Sequence, residues 1–342
     1  SSDIGTVKAL RELLDELPRS EKPVVIWVGA GASSWCGYKR WEDMARYFHD
    51  TYRRYEDEYD DHKGTLLLSN QDFPALFDLC KCASPSRFAR MLTDELSIRP
   101  ATPLFKRFCS AISRLTPVHV LTTNVDEMLE KHIEASLIER DDLARARSCL
   151  LSKQPFICKL HGSISNIKSV VFSTTEYDVL EKDESYLSQL AGLIAMSQTI
   201  FVGYGLRDEY LVKLLQKNVK DAKAFGDGPH YAILTTEGDI FPESVKVIKY
   251  VADPHTDHRD SIHVLEQYGI SQASKVKTDI QPSINAFRSS HLLFDILPPG
   301  TYASSQRFEI MSNENGQTKE VVVGTGFTNV ELPDNRSTAF HD

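Results

Sequence analysis

The sequence predicts an α/β fold, a Rossmann-like doubly wound parallel sheet that carries a helical insertion and a small C-terminal β-rich appendage. Short continuous apolar runs bounded by glycine or proline are typical of strands buried on both faces of a parallel sheet. These runs alternate with segments of helical periodicity, which predicts helices on both faces of the sheet. Ligands of such sheets bind outside the carboxyl ends of the strands, so we expect the site residues directly after the strands.

The first third of the chain predicts a helix, a strand and then a long helical segment. Residues 4–17 have the apolar spacing of an amphipathic helix, and residues 23–28 form a buried strand. The strand continues into the glycine loop Gly29–Ser33, and helical periodicity resumes over residues 41–51. Residues 51–115 are mostly polar and helical in pattern, without a strong strand pattern, so they are predicted to be a helical insertion.

The rest of the α/β stretch predicts further strands and helices. The strands lie at 118–122, 156–160, 170–172, 199–203, 230–234 and 245–250. One helix begins at Asp126, where acidic residues occupy a first turn. The other helices cover residues 187–197, 207–217 and 261–268.

The character of the sequence changes after residue 275. Apolar runs separated by Pro-Pro-Gly and Asn-Gly turns predict a small β-hairpin module, with strands at 292–296, 307–310 and 321–323. The predicted domains are therefore residues 1–275 and residues 276–342. Because such an appendage is more typical of an interaction or oligomerisation surface than of a catalytic unit, we expect residues 280–342 to dock a partner.

Composition excludes several classes of protein. The 41% hydrophobic content predicts a packed core, and the formal charge of 39 − 48 = −9 argues against a broad basic surface for nucleic acid. No apolar run approaches the ~20 residues that span a bilayer, and the N-terminus lacks a secretory pattern. The six cysteines have no regular spacing, which favours reduced thiols. We expect a cytoplasmic protein without a membrane segment or direct nucleic-acid binding.

The first candidate motif is the glycine loop after the first strand. Gly29-x-Gly31 between a strand and a helix lets the backbone approach a pyrophosphate. The third glycine of the dinucleotide-binding pattern is absent, because Ser34 stands in its place. A tight turn without a ligand would have the same pattern, so both interpretations stand at this point.

Three further motifs follow predicted strands. The segment Thr123-Asn124-Val125-Asp126 either holds a ribose through the Asn124 amide and the Asp126 carboxylate or caps the next helix. His161, in Lys159-Leu160-His161-Gly162, can take a proton at neutral pH because imidazole titrates near pH ~6.5. The fourth motif is a second glycine loop, formed by Gly203, Tyr204, Gly205, Leu206, Arg207 and Asp208.

The order of these motifs resembles the sirtuin family over roughly residues 20–270. The resemblance implies that Asn124 and His161 are catalytic, that Asp126 holds the nicotinamide end of NAD, and that both glycine loops hold the remainder. The implied NAD-binding residues are Gly29, Ala30, Gly31, Ala32, Ser33, Thr123, Asp126, Gly203, Tyr204, Gly205, Leu206 and Asp208.

Two departures separate the chain from the protein-deacylating sirtuins. Their four-cysteine zinc module is missing, because the chain has no C-x-x-C pair and no cysteine after Cys158, so no metal is expected. Their Asp-Phe-Arg segment is replaced by Tyr38-Lys39-Arg40-Trp41. The runs 171–177 and 201–208 resemble instead the NAD-degrading sirtuin-like domains of bacterial antiphage systems. That resemblance implies a homo-oligomer and a partner such as a HerA-type ATPase.

The expected function is hydrolysis of the nicotinamide–ribose bond of NAD, giving nicotinamide and ADP-ribose in an antiphage defence effector. Two alternatives remain open. A non-catalytic sensor would bind NAD or ADP-ribose tightly without releasing nicotinamide. An NAD-dependent protein deacylase would act on acetylated peptide, and the missing zinc cysteines make it the weaker alternative.

Overall fold

The computed structural model describes residues 4–203, 228–235, 245–250, 259–286, 306–311 and 318–323. Within these ranges, seven strands form one parallel sheet in the order β3-β4-β2-β1-β5-β6-β7. They are β1 (Val24–Val28), β2 (His119–Thr122), β3 (Ser136–Glu139), β4 (Phe156–Lys159), β5 (Gln198–Val202), β6 (His230–Thr235) and β7 (Val245–Tyr250). The Rossmann-like parallel sheet predicted from the sequence is confirmed.

The strand order places a crossover point at the centre of the sheet. From β1 the chain continues to β2 on one side, whereas from β5 it continues to β6 on the other side. The carboxyl ends of β1 and β5 therefore border the crevice in which open α/β sheets bind their ligands.

Helices flank the sheet along its length. They are α1 (Ile4–Arg11), α2 (Ala30–Ser34), α3 (Trp41–Tyr55), α4 (Asp61–Ser69), α5 (Phe73–Ala83), α6 (Pro85–Glu95), α7 (Pro103–Ser113), α8 (Leu143–Leu151), α9 (Thr174–Lys182), α10 (Glu184–Ala195) and α11 (Arg259–Ala286). After α1 the chain continues as a π-helical turn, Glu12–Glu16, and a 3₁₀ turn, Leu17–Arg19. Two more 3₁₀ turns are Arg140–Asp142 and Ile167–Ser169.

Side-chain caps fix where the helices of the predicted insertion begin. Asp60, Asp72 and Thr102 accept hydrogen bonds from backbone N–H groups three residues ahead, at the starts of α4, α5 and α7. Such caps satisfy donors that a helix start leaves without an intrahelical partner. The helical character predicted for this part of the chain is confirmed.

The sheet is buried on both faces because alternate residues of β1 enter different cores. Ile26 and Val28 pack in the core that also contains the insertion helices. Val25 and Trp27 pack on the opposite face, in the core with α8 and α10. A strand buried in this way needs a continuous apolar run, which is the pattern that predicted it.

The prediction that a helix begins at Asp126 is wrong. Residues 126–132 form a series of turns. The Asp126 carboxylate accepts a hydrogen bond from Met128 N at 3.1 Å, and the carbonyls of Val125 and Asp126 accept bonds from the Lys159 ammonium group. The Val125 carbonyl also accepts a bond from Ile164 N at 2.8 Å, so contacts from distant residues replace the intrahelical bonds that the local acidic pattern predicted.

The strand predicted at residues 170–172 is also wrong. Phe172 N donates to the Glu176 carboxylate at the start of α9, so the segment is an irregular loop before that helix. The three apolar residues of this loop are buried, so their sequence resembles that of a buried strand. Phe172, for example, stacks on Trp41 with ring centroids 4.8 Å apart.

The predicted glycine loop and one edge of the sheet also differ from expectation. Residues Ala30–Ser34 form the short helix α2 with Gly29 as its extended N-cap, so only Gly29 is loop-like. Strand β3 was not predicted, because it has four residues and its first two side chains are exposed. The predicted helix at 207–217 and the predicted strand at 292–296 lie outside the described residues.

The chain separates into two compact units, Ser1–Gln272 and Ala273–Asp342. In the second unit, β8 (Gln306–Met311) pairs with β9 (Thr318–Val323) as an antiparallel hairpin. This pair agrees with two of the three predicted β runs. The assignment of catalysis to the first unit and of partner docking to the second stays a prediction.

We predict that Phe77→Ala lowers the free energy of unfolding by about 3–5 kcal/mol, because its fully buried ring packs against Trp41, Phe48 and Phe172. The control Leu66→Ala, at a residue that is 53% exposed, should change it by about 0.5 kcal/mol or less. Urea denaturation measures both. Equal stability of the two variants would mean that this aromatic cluster does not hold the insertion on the sheet.

Candidate functional site

The carboxyl ends of the two central strands approach each other through glycine. Gly29 N donates to Val202 O at 3.0 Å, and Gly31 N donates to Gly203 O at 2.8 Å. A Cβ atom at Gly31 would lie 2.7 Å from Gly203 O, a separation that real Cβ atoms essentially never show. Gly203 has a φ of +63°, which favours glycine. Both glycines are therefore required by the backbone approach at the crossover point.

This packing changes the role expected for the first glycine motif. The N–H of Gly31 serves Gly203, and the N–H of Ala32 donates to Gly29 O at 3.1 Å. Those two donors face protein carbonyls, and α2 has only five residues. A ligand at this segment would instead rest against a small, open backbone surface, where Ala30 is exposed.

Three of the predicted site residues form one buried polar cluster. Asn124 Nδ2 donates to Ser33 Oγ at 2.9 Å, and Ser33 Oγ donates to Asp126 Oδ2 at 2.6 Å. All three residues are at most 6% exposed. The cluster joins α2, which follows β1, to the loop that follows β2, so the two strand ends share one hydrogen-bonded network.

The orientation of the Asn124 amide follows from its partners. Its Nδ2 also donates to the Gly29 carbonyl at 3.1 Å, and a carbonyl can only accept a hydrogen bond. The amide oxygen must therefore be on the opposite side. There Oδ1 is buried and has no hydrogen-bond partner within the described part of the protein. A buried acceptor in that state costs about 1–3 kcal/mol, so it calls for a donor that a ligand or water supplies.

The loop after β2 is fastened to the strands on either side of β2. Thr122 Oγ1 donates to Val28 O at 2.8 Å and accepts from Asn124 N at 3.0 Å. On the other side, Leu160 N donates to Thr122 O at 2.8 Å. These bonds fix the start of the loop that carries Asn124 and Asp126.

A buried lysine fastens the remainder of the same loop. The Lys159 side chain is fully buried, and its Nζ lies 2.5 Å from Asp126 O and 2.5 Å from Glu130 Oε1. Burial raises the pKa of the Glu130 carboxyl, while the neighbouring Lys159 charge acts in the opposite direction. The sequence motif contained Lys159, but sequence reasoning gave it no role and did not find Glu130.

His161 lies at the end of β4, the strand next to β2. It is buried, its carbonyl accepts from Val171 N at 3.0 Å, and its ring meets the edge of Tyr177 with centroids 5.4 Å apart. The following Gly162 has a φ of +79°, and a Cβ there would lie 2.2 Å from Ser169 O. The glycine therefore lets the chain turn sharply behind the imidazole.

The Asp126 carboxylate gives the site a negative potential. Burial raises the pKa of the Cys36 thiol, and the charge of Asp126 raises it further. The same two causes raise the pKa of the Tyr38 hydroxyl. Such a field favours a positively charged group near the cluster.

The structure thus brings together Gly29, Gly31, Ser33, Asn124, Asp126 and Gly203, with His161 in the turn after the adjoining strand β4. Ala32 is buried behind this group and Thr123 is half-buried in the loop. The predicted residues Tyr204, Gly205, Leu206 and Asp208 lie outside the described residues. Tyr177, which contacts His161, was given no role by sequence reasoning.

The described residues contain no group of three or more His, Cys, Asp or Glu side chains that could hold a metal ion. Within the same ranges, no helix is long and apolar enough to cross a membrane. The expectation that no metal is needed stays a prediction.

One known family matches the part of the chain that contains much of this cluster. Residues 118–270 match the family described as the SIR2-like domain, and this segment includes the Asn124 loop and His161. The segment that carries the site residues after β2 and β4 is therefore similar to the SIR2-like domain. The resemblance drawn from the order of the motifs is therefore confirmed.

Individual relatives agree with this assignment. The chain is 28% identical over 227 residues to defense-associated sirtuin 2 of Bacillus subtilis, a match that covers 62% of this chain and 21% of that protein. The chain thus spans about a fifth of the length of this relative.

Solved sirtuin structures were also found. Sir2Tm bound to a propionylated peptide has 15% identity and a TM-score of 0.39, covering 75% of this chain and 97% of its own. A Sir2 homolog–NAD complex has 14% identity and a TM-score of 0.38, and the match covers 80% of this chain and 95% of that one.

We predict that Gly31→Ala lowers the free energy of unfolding by about 1–3 kcal/mol, because the new Cβ must displace the Gly203 backbone. The matched control is Gly192→Ala in α10, where a Cβ would have no neighbour within 4 Å. That control should raise stability by about 0.5–1 kcal/mol, because alanine is the better helix residue. Chemical denaturation decides, and a Gly31→Ala variant as stable as wild type contradicts the close approach.

Proposed function

We propose that this chain is an NAD glycohydrolase that cleaves the nicotinamide–ribose bond to give nicotinamide and ADP-ribose. The observation that carries the proposal is the buried Asn124 Oδ1, an acceptor without a hydrogen-bond partner among the described residues. It belongs to a polar cluster at the crossover point of a sirtuin-like domain. A ribose hydroxyl or a bound water is the donor that would satisfy it.

In this proposal NAD lies across the carboxyl ends of the central strands. Its phosphates rest against residues 29–33, where glycine and alanine leave room for a close approach. Asn124 orients the nicotinamide ribose or the attacking water through Oδ1. The polar chemistry of the cluster and the similarity of residues 118–270 to the SIR2-like domain both support NAD as the substrate.

Cleavage places positive charge on the ribose, as in glycoside hydrolysis generally. The C1′–N bond breaks with its electron pair going to nicotinamide, which leaves as a neutral molecule and needs no general acid. Asp126 stabilises the developing cation, because its carboxylate is held in place by Ser33 Oγ and Met128 N. The water oxygen bonds to C1′, and His161 accepts the proton that the water loses.

The two alternative functions predict products that differ from those of an NAD hydrolase. A sensor binds NAD or ADP-ribose but releases no nicotinamide. A deacylase releases nicotinamide only together with deacetylation of an acetylated peptide. The chain has no C-x-x-C pair of the kind that holds the zinc module of deacylases, which supports hydrolysis.

The similarity to a defense-associated sirtuin supports a biological role for the reaction. We propose that the protein depletes NAD in the cytoplasm during phage infection. We also propose that it works as a homo-oligomer, with a partner such as a HerA-type ATPase. The segment 280–342, which contains the β8–β9 hairpin, is the proposed docking surface.

We predict that Asn124→Ala and His161→Ala each lower nicotinamide release from NAD by ~10²–10⁴-fold, because each removes a group that acts on the reacting atoms. Chromatography of the reaction measures both products. The matched controls are Asn70→Ala and His62→Ala on the exposed surface of the insertion, which should keep wild-type rates.

Two outcomes would contradict the proposal in different ways. Equal nicotinamide release by the wild type and by folded Asn124→Ala would place catalysis elsewhere. Tight NAD binding by the wild type without any release would identify a sensor instead of an enzyme.

A further inference from the structure

The Lys159 side chain is the most deeply buried charge near the proposed site. It is fully buried, and its Nζ contacts the carbonyls of Val125 and Asp126 as well as the Glu130 carboxylate. A buried ammonium group is costly unless it is paired and hydrogen-bonded. These three contacts satisfy that requirement and hold the loop against the buried cation.

The contacts determine the path of the loop backbone. The Val125 and Asp126 carbonyls turn towards Nζ, and the Asp126 carboxylate closes a turn with Met128 N. Without the ammonium group, the Asp126 carbonyl would lose its Lys159 donor, while the Val125 carbonyl would keep only its bond from Ile164 N at 2.8 Å. The loop backbone would then rotate at Asp126 towards another partner. The Asp126 side chain lies between these two carbonyls, and Asn124 directly precedes Val125, so the directions of both side chains depend on that rotation.

The same lysine also belongs to the strand that presents the imidazole. Lys159 is the last residue of β4, opposite Thr122 of β2 in the ladder, and His161 follows two residues later. One side chain therefore joins the loop that carries Asn124 to the strand end that carries His161.

We infer that Lys159 is a positioning residue that sets the place of Asn124 and Asp126 relative to His161, with Glu130 as its counter-ion. This inference rests on the proposed function, because it assigns a role in the same reaction. Lys159 does not touch the reacting atoms. It acts through the two backbone carbonyls, so it governs the rate of the chemical step and leaves the surface that receives NAD in place.

The test compares Lys159→Met with Lys246→Met in the full chain. Lys246, in the edge strand β7, is the matched control. It also pairs with a glutamate, Glu12, but it lies away from the site. Lys159→Met should lower kcat by ~100-fold, as expected for misplaced catalytic groups, while KM for NAD changes far less. Hydrogen exchange in the peptide spanning residues 122–130 should become faster in this variant alone.

A second variant protects the test against a failure to fold. Lys159→Gln keeps a hydrogen-bond donor at this position and should fold. It should lose less kcat than Lys159→Met does, and its faster exchange should again be confined to residues 122–130. A folded variant of Lys159 with wild-type kcat and wild-type exchange at 122–130 overturns the inference. A second result would also overturn it: kcat and NAD affinity fall together, in proportion to the loss of thermal stability, and both recover when the assay is cooled.

The two proposals can fail separately. If the wild-type protein releases no nicotinamide, the proposed hydrolase fails. The exchange of residues 122–130 in Lys159→Met and Lys246→Met then still decides whether Lys159 holds the loop.

Discussion

The close approach of Gly31 to Gly203 is the constraint on which the candidate site depends. The two backbones meet at a 2.8 Å hydrogen bond, and a Cβ at Gly31 would lie 2.7 Å from the Gly203 carbonyl. The chain leaves β1 through Gly29, and α2 begins directly at the crossover point. Its turn directs Ser33 towards the loop after β2, where Asn124 and Asp126 complete the cluster.

The cluster leaves one buried acceptor without a hydrogen-bond donor, which costs the protein stability. Asn124 is held by two hydrogen bonds from its Nδ2, which leaves its oxygen buried and without a donor among the described residues. Asp126 is held at both carboxylate oxygens. Groups fixed in this way need little reorganisation during a reaction, which is how preorganised polar sites stabilise developing charge. The buried Lys159 extends the same order to the backbone of the loop.

The sequence predicted the sheet and the strand-end motifs because buried parallel strands have an unbroken apolar pattern. It could not predict the loop at 126–130, whose shape depends on Lys159, a residue 33 positions away from Asp126. The apolar run 170–172 was mistaken for a strand because its burial comes from aromatic packing on Trp41 and not from a ladder. Strand β3 lacks a recognisable pattern because half of it is exposed at the edge of the sheet. In each case a tertiary contact decided the outcome.

The most direct test of this account is a crystal structure of the chain with ADP-ribose, the proposed product. The account predicts that a ribose hydroxyl, or a water bound to it, lies within hydrogen-bond distance of Asn124 Oδ1, with the phosphates against residues 29–33. Density for the ligand at any other place, with Asn124 Oδ1 still without a donor, would contradict the assignment of this cluster as the NAD site.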